Sequence, residues 1–179
     1  MKKFILFTAI GLGVNSLSGQ INIIDTSFYS ESLQQTKMVD VFLSSVNIPS
    51  SCLPQGIIFS TQQEIDNFQS NHPGCTEIEG DVIIEGNTIT NLNGLNMLTA
   101  VFGNLSIGDY YENPSLTDIS GLSNLTTIGG SLKIWRNIVL PDLSGLINLA
   151  SVGGDLIIYL NDGLSDLSGL DNLIAIGES

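Results

Sequence analysis

The chain has 179 residues with 18 Asp and Glu against 5 Lys and Arg, which gives a formal net charge of −13. This length suits one domain with short extensions. The acidity argues against nucleic acid and anionic membranes as partners, because both would be repelled. No pattern of residues indicates a cofactor, and we expect none.

The first 19 residues have the pattern of a secretory signal peptide. Lys2 and Lys3 precede the apolar run Phe4–Val14, and cleavage is expected within Ser18–Gln20. The run is too short to span a bilayer. Its removal would take 2 of the 5 basic residues and leave 3 against 18 acidic ones, a net charge of −15. We therefore expect a secreted or cell-surface protein without membrane insertion; a buried N-terminal helix is the alternative.

Residues 20–51 show no repeat and are interpreted as a leader or linker of uncertain order. Ile21–Ile24 and Val39–Leu43 are candidate short strands within it. Residues 52–179 are predicted to form the main domain. Cys52 and Cys75 are the only cysteines, and an even pair in an exported chain predicts a disulfide. Zinc is a poor alternative, because two thiols and His72 fall short of four ligands.

Residues 52–79 are predicted to cap the N-terminal end of the domain. Ile57–Phe59 is a candidate strand, and the sequence from Thr61 to Glu64 has the pattern of a helix capping box. Ile65 and Phe68 would form the apolar side of a short helix that ends before Pro73-Gly74. Such a helix would cover the first turn of a repeated structure, since an open end exposes apolar side chains.

Residues 80–179 contain four repeats of about 24 residues, best seen where Gly130–Gly153 returns as Gly154–Gly177. The two earlier copies are Gly80–Phe102 and Gly103–Gly129. Repeats of this length predict a solenoid of stacked rungs. Each rung places about seven apolar side chains at shared positions, as at Leu132, Ile134, Leu140, Leu143, Leu146, Leu149 and Val152. We expect an all-β solenoid with a complete aliphatic interior and no polar column inside it.

Polar residues also recur at fixed places in the rungs. Asn87, Asn113, Asn137 and Asn161 coincide once a three-residue insertion in the second rung is allowed for, and we expect them to form a structural ladder at a bend. Asp118, Asp142 and Asp166, with Asn91 in the first rung, precede a Gly by three residues. This spacing predicts Asx-type turns. Cation binding by the three stacked carboxylates is the alternative.

The segment Gly74-Cys75-Thr76-Glu77-Ile78-Glu79-Gly80-Asp81-Val82-Ile83-Ile84 is similar to the opening of the receptor L domain, the leucine-rich right-handed β-helix of insulin and epidermal growth factor receptors. The resemblance covers about 52–179 and is to the bacterial secreted or surface type. It implies a right-handed parallel β-helix, pairs Cys52 with Cys75 and implies ligand binding. The rungs are more regular than in the receptors, and a closing cap is missing at Gly177-Glu178-Ser179. We interpret the chain as a fragment, or as one whose end pairs with something else.

A candidate binding surface lies just past the first strand of each rung. Trp135 and Tyr159 are each five residues after a rung glycine, so they should be neighbours on adjacent rungs. Lys133 and Arg136 flank Trp135, and the insertion in the second rung carries Tyr110 and Tyr111. These side chains are candidates for stacking on sugar rings or anchoring a protein. The alternative is that the rings only stack on one another and cover the side of the coil.

The sequence predicts a protein that is not an enzyme. His72 is the only histidine, neither cysteine is free to act as a nucleophile, and no glycine-rich phosphate loop is present. Our first hypothesis is an extracellular recognition module that binds a protein or carbohydrate ligand through one solenoid face. A structural spacer or adhesin segment of a larger surface protein is the second. A polysaccharide-active β-helix enzyme is the third and weakest, because Lys133 and Arg136 are the only cations in the rungs.

Overall fold

The computed structural model describes residues 14–17, 20–23 and 51–177. The chain divides into two compact units, Met1–Asn47 and Ile48–Ser179. In the first unit, strands β1 (Val14–Leu17) and β2 (Gln20–Ile23) form an antiparallel pair. Strand β2 overlaps the candidate strand Ile21–Ile24, whereas Val39–Leu43 lies outside the described residues. The signal peptide stays a prediction.

The second unit is built from two parallel sheets. The five-stranded sheet runs in the order β4 (Ile57–Phe59), β6 (Val82–Ile84), β8 (Leu105–Ile107), β10 (Leu132–Trp135) and β12 (Leu156–Tyr159). The six-stranded sheet runs β3 (Ser51–Cys52), β5 (Glu77–Ile78), β7 (Ala100–Val101), β9 (Thr127–Ile128), β11 (Ser151–Val152) and β13 (Ala175–Ile176). Successive strands of the chain alternate between the sheets, so each rung contributes to both, as in a β-solenoid.

The residues before the first rung contribute one strand to each of the two sheets. Strand β4 pairs in parallel with β6, and β3 pairs with β5. Helix α1 (Gln62–Asp66) begins with the predicted capping box, in which the Glu64 N–H donates to Thr61 and the Glu64 side chain accepts from the Thr61 N–H. Helix α2 (Phe68–Asn71) follows directly. Neither these helices nor any other among the described residues is long and apolar enough to cross a membrane.

Helix α1 packs against the first rung. Ile65 and Phe68 are buried, and the side chain of Gln62 accepts from the N–H of Thr90 and donates to the carbonyl of Asn91. The predicted disulfide between Cys52 and Cys75 is present and closes the segment that contains both helices. With a sequence separation of 23 between its cysteines, such a crosslink contributes about 3 kcal/mol by restricting the unfolded chain.

The third side of the coil is a stack of 3-10 turns at Asn93–Leu95, Ser120–Leu122 and Ser144–Leu146. Each turn has a glycine at its centre, and the backbone of the rung beneath leaves no room for a side chain. A Cβ on Gly121 would lie 1.8 Å from the carbonyl oxygen of Leu92, and one on Gly145 would lie 1.9 Å from that of Ile119. Glycine is therefore required here by backbone-on-backbone stacking.

The predicted Asx turns precede these 3-10 turns. The Oδ1 atoms of Asp118, Asp142 and Asp166 each accept the N–H of the serine two residues on, at 2.8–2.9 Å. Asn91 accepts from Asn93 in the same way at 3.1 Å. The structural interpretation of this column is confirmed.

The predicted apolar columns form one continuous core through the first three rungs. Every residue that we assigned to the interior of the third rung is at most 1% exposed. Full burial of a Leu, Ile or Val side chain contributes about 1.5–3 kcal/mol relative to exposure. The core therefore holds the sheets and the 3-10 turns together through the first three rungs.

The fourth rung departs from the prediction of a complete interior. Leu156, Leu164 and Leu170 are only half-buried, while Leu167 and Ile176 are 56% and 49% exposed. Strands β12 and β13 are the last of their sheets. Within residues 51–177 no further rung lies over their apolar side chains, whereas their counterparts in the first three rungs are buried between neighbours.

The expectation that no polar column lies inside the coil is wrong. Asn113 and Asn137 are completely buried. The amides satisfy each other and the backbone: Asn113 Nδ2 donates to Asn137 Oδ1, and Asn137 Nδ2 donates to the carbonyl of Ile107 and to Asn161 Oδ1. Burial of an amide is tolerated when its donors and acceptors are paired.

Asn87 is not part of this ladder. Its side chain is exposed, and the first member of the column is instead the backbone of Gly86, whose N–H donates to Asn113 Oδ1 at 2.8 Å. The first rung is covered on its other side by residues 57–66, which lack an asparagine at the matching bend. The ladder therefore comprises Asn113, Asn137 and Asn161.

Candidate functional site

Trp135 and Tyr159 are the last residues of β10 and β12, rather than lying past the strands. They are paired in parallel register, with ring centroids 6.1 Å apart and ring planes at 62°. Leu132 and Ile134 point into the core, so the alternation of a strand turns Trp135 outward. Tyr159 is 57% exposed and Trp135 is half-buried. We call these two residues the aromatic pair.

Arg136 follows Trp135 and turns back over its ring. The guanidinium carbon lies 5.3 Å from the ring centroid, within the range of a cation–π contact. The Nη1 atom is also 4.0 Å from Glu112 Oε1. Arg136 has φ +57°, a left-handed conformation that is unusual for a residue other than glycine. The bend at the end of β10 thus directs this side chain toward the second rung.

The three-residue insertion in the second rung forms a protruding loop. Tyr110 and Tyr111 are 80% and 64% exposed, and their rings meet edge to face with centroids 5.2 Å apart and planes at 85°. The N–H of Asp109 donates to the carbonyl of Tyr111, and the N–H of Tyr111 donates to Glu85 Oε2. These bonds tie the loop to itself and to the first rung.

A cleft of about 640 Å³ lies between this loop and the bend of the first rung. We call it the tyrosine cleft; it is lined by Ser60, Glu85, Gly86, Asn87, Tyr110, Tyr111, Glu112, Pro114 and Arg136. Of the six predicted ligand-binding residues, the structure brings Tyr110, Tyr111 and Arg136 together here. Arg136 joins the tyrosine cleft to the aromatic pair.

Lys133 is separate from the tyrosine cleft. It lies on the outer side of β10, in register with Ser106 of β8 and Ile157 of β12. The structure places it two residues before Trp135 on the same strand face. It therefore borders the aromatic pair without lining the cleft.

Of the two carboxylates of the cleft, Glu112 belongs to the insertion recognised in the sequence, whereas Glu85 was missed by reasoning from the sequence alone. Glu85 follows β6 directly, and Ser60 follows β4, while β6 and β8 pair in register. The insertion begins directly after β8, so its loop must leave the sheet beside Glu85. That adjacency could have been read from the aligned rungs.

Asp118, Asp142 and Asp166 each stabilise the turn that follows them. The pKa of Asp142 and that of Asp166 lie below the ordinary aspartate value, chiefly because the hydroxyls of Ser144 and Ser168 donate to them, assisted by the N–H groups of the same serines. Among the described residues, no group of three or more His, Cys, Asp and Glu side chains is arranged to hold a metal ion. The alternative of a cation site at Asp118, Asp142 and Asp166 gains no support.

His72 ends helix α2 and packs on Phe68, with ring centroids 5.3 Å apart. It is half-buried, and Cys75 beside it in the chain is held in the disulfide. The imidazole therefore serves as a packing group against the apolar side of the helices. Nothing around it in the described residues forms a nucleophile and base pair.

One segment of the chain matches a known family, and it contains the first two rungs and most of the tyrosine cleft. Residues 74–141 match the family model of the receptor L domain. This receptor L-domain match covers less than half of the chain, yet it includes Tyr110, Tyr111, Trp135 and Arg136 and leaves out Tyr159. Among curated proteins, none matches this chain.

The receptor L-domain match supports the resemblance carried by Gly74–Ile84. It indicates a ligand-binding module rather than an enzyme, which agrees with the function expected from the sequence. Together with the disulfide, it favours a secreted or surface location.

Proposed function

We propose that this protein is a non-catalytic extracellular recognition module of the bacterial receptor L-domain type. Its binding surface comprises the aromatic pair and the tyrosine cleft. One observation carries the proposal: aromatic rings that the core does not use lie side by side at the ends of adjacent strands, with Arg136 over one of them. The core positions of the same strands are filled by Leu and Ile, so the packing of the interior does not require these rings.

Exposed aromatic side chains are the usual anchors of binding surfaces. Tyr110, Tyr111 and Tyr159 are each more than half exposed, and a ring of this size offers a large contact area with few rotatable bonds. The regular stack beneath fixes the strands that carry them, so little ordering is needed when a ligand binds. Both a protein surface and a sugar ring can use such anchors.

The proposal is tested by measuring binding of the full chain to a printed glycan array and to biotin-labelled surface proteins of its source cells. Trp135→Ser/Tyr159→Ser should lower the signal of any true ligand at least about tenfold, as loss of a central aromatic anchor does. Ile174→Ser is the matched control, because Ile174 is 87% exposed, apolar and outside the surface.

Trp135 is half-buried, so its loss can also weaken the fold. Tyr159→Ser alone removes a mostly exposed ring, and a thermal melt of each variant separates unfolding from lost binding. Equal binding by wild type, Tyr159→Ser and the folded double variant would contradict the proposal.

A structural segment of a larger surface protein is the second candidate. The exposed apolar side chains of the fourth rung favour it, because another rung stacked on β12 and β13 would bury Leu167 and Ile176. This role requires the stack but not the aromatic rings. Cells carrying Tyr159→Ser would then attach to surfaces as wild type does, whereas the recognition role predicts reduced attachment.

A further inference from the structure

The chemistry of the tyrosine cleft differs from that of the aromatic pair. Two exposed rings meet almost at right angles, and two carboxylates, those of Glu85 and Glu112, lie in the same lining. Perpendicular rings form a corner rather than the flat platform on which a sugar ring stacks. A corner of π faces with carboxylates beside it attracts an organic cation.

Glu85 is the cleft carboxylate without a cationic neighbour. It is half-buried, its Oε2 accepts the Tyr111 N–H at 3.2 Å, and no Lys, Arg or His of the described residues lies within 4.0 Å of its oxygens. Its remaining oxygen is therefore available as a counter-ion. A partly buried carboxylate interacts more strongly with a cation than an exposed one, because water screens the pair less.

Arg136 is a cation that already packs between the tyrosine cleft and the aromatic pair. Its guanidinium lies over the Trp135 ring and is 4.0 Å from Glu112. The ion pair is long and both side chains are substantially exposed, at 38% and 51%, so it is weak. Arg136 lines one side of the tyrosine cleft and competes there with any added cation.

We propose that the tyrosine cleft binds an arginine or lysine side chain of a basic peptide segment, with Tyr110 and Tyr111 as walls and Glu85 as counter-ion. This inference rests on the proposed recognition function and names its ligand class. The net charge of −13 on the chain adds attraction for a basic partner at long range. The occupant is a protein partner rather than a glycan.

The test is an NMR titration of the full chain, labelled in its tyrosine rings, with N-acetyl-arginine amide. N-acetyl-citrulline amide is the matched probe, since it keeps the shape of arginine and lacks the charge. We expect the ring signals of Tyr110 and Tyr111 to shift with the arginine probe at millimolar concentration. The citrulline probe should bind at least about fivefold more weakly, because a desolvated cation–π contact and one ion pair are lost.

Three variants test whether the affinity for the arginine probe changes in the expected direction. Glu85→Gln should weaken arginine binding about fivefold or more, whereas Glu79→Gln, the same change of charge outside the cleft, should leave it within about twofold. Arg136→Gln should strengthen binding about two- to fivefold, because the competing cation is gone and Glu112 is released. An anionic ligand would instead bind Arg136→Gln more weakly.

Equal shifts with arginine and citrulline, or weaker arginine binding by Arg136→Gln, would overturn this inference. A larger response of the same rings to methyl glucoside would assign the cleft to a glycan instead. If the arginine probe does not bind but Tyr159→Ser still abolishes binding of the native ligand, the recognition function stands and only the proposed cationic ligand is wrong. If both fail, the proposed function falls as well.

Discussion

Asn113 and Asn137 lie one above the other inside the coil, joined by a hydrogen bond of 3.0 Å from Asn113 Nδ2 to Asn137 Oδ1. Both side chains are completely buried, and each also donates to a backbone carbonyl, Asn113 to that of Ile84 and Asn137 to that of Ile107. The two amides therefore pair with each other and with the backbone where the second and third rungs bend.

Asn137→Ala should lower the free energy of unfolding by about 2–4 kcal/mol. The change removes one of the partners of the buried Asn113 amide and the side-chain donor to the Ile107 carbonyl, and each lost buried hydrogen bond costs about 1–3 kcal/mol. Urea unfolding measures the effect. Asn87→Ala is the matched control, because Asn87 is exposed and outside the ladder, and it should change the free energy by less than about 0.5 kcal/mol. Equal losses in the two variants would show that the ladder is not structural.

Gly121→Ala should destabilise the stack by about 3 kcal/mol or more. The added Cβ would lie 1.8 Å from the carbonyl oxygen of Leu92, so one rung must move away from the next. Gly163→Ala is the comparison, since its Cβ would meet backbone atoms only at 3.0 Å and a small shift relieves the contact. Thermal unfolding should rank Gly121→Ala well below Gly163→Ala; the reverse order would refute the stacking argument.

Leu160→Gly should be more stable than Leu160→Ala by about 0.5–1 kcal/mol. Leu160 has φ +54° and is 43% exposed, and alanine keeps the left-handed strain that glycine relieves. Both variants lose the same side-chain contacts, so their difference reports the backbone conformation. Midpoints of urea unfolding provide the comparison, and identical midpoints would mean that the strain is absent in solution.

The capping box predicts a pH dependence through Glu64. The N–H of Ser60 is the largest cause that lowers the pKa of this carboxyl below 4.5, followed by the hydrogen bonds of Thr61. A lowered folded-state pKa means that the contribution to stability is present above the unfolded-state pKa and is lost as the pH falls through the folded value.

Glu64→Gln should therefore cost about 0.5 kcal/mol at pH 7, a typical loss for an exposed cap. As the pH falls below the ordinary range of a glutamate carboxyl, the gap between wild type and variant should shrink, because Glu64 becomes protonated in the folded state as well. Urea unfolding over a series of pH values from 7 downward measures the gap. A gap that does not change with pH would show that the charge of Glu64 has no part in the cap.

The repeat pattern was sufficient to predict the rungs, the apolar columns of the first three rungs and the Asx turns, while the even cysteine pair predicted the disulfide. These features are repeated or locally encoded, as the agreement of Asp142 with Asp118 shows. The right-handed sense of the coil stays a prediction. The pattern misplaced the buried amides, because Asn137 has the polar side chain of a surface residue and only its partners in adjacent rungs permit its burial. The alignment also placed Asn87 in the ladder, whereas Gly86 occupies that position in the first rung and Asn87 lies one residue further on.

The candidate site was only partly predictable. Trp135 and Tyr159 follow from strand alternation and a repeat of constant length. Glu85 lies in another rung and was missed, because its role depends on where the insertion leaves the sheet. The sequence showed that a closing cap is missing, yet the fourth rung was still expected to have a complete interior, since counting apolar positions does not show which of them have a covering neighbour.

The insertion at Gly108–Glu112 has a consequence for how such a stack can be changed. The ladder positions Gly86 and Asn113, which lie on either side of the insertion, are 27 residues apart in sequence, whereas Asn113 and Asn137 are 24 apart. The added residues lie entirely outside the core. This bend therefore tolerates an insertion without a change in the interior. Three residues inserted between Arg136 and Asn137 would place a second loop beside Tyr110 and leave the interior unaltered, which makes the coil a scaffold for building new binding loops in parallel.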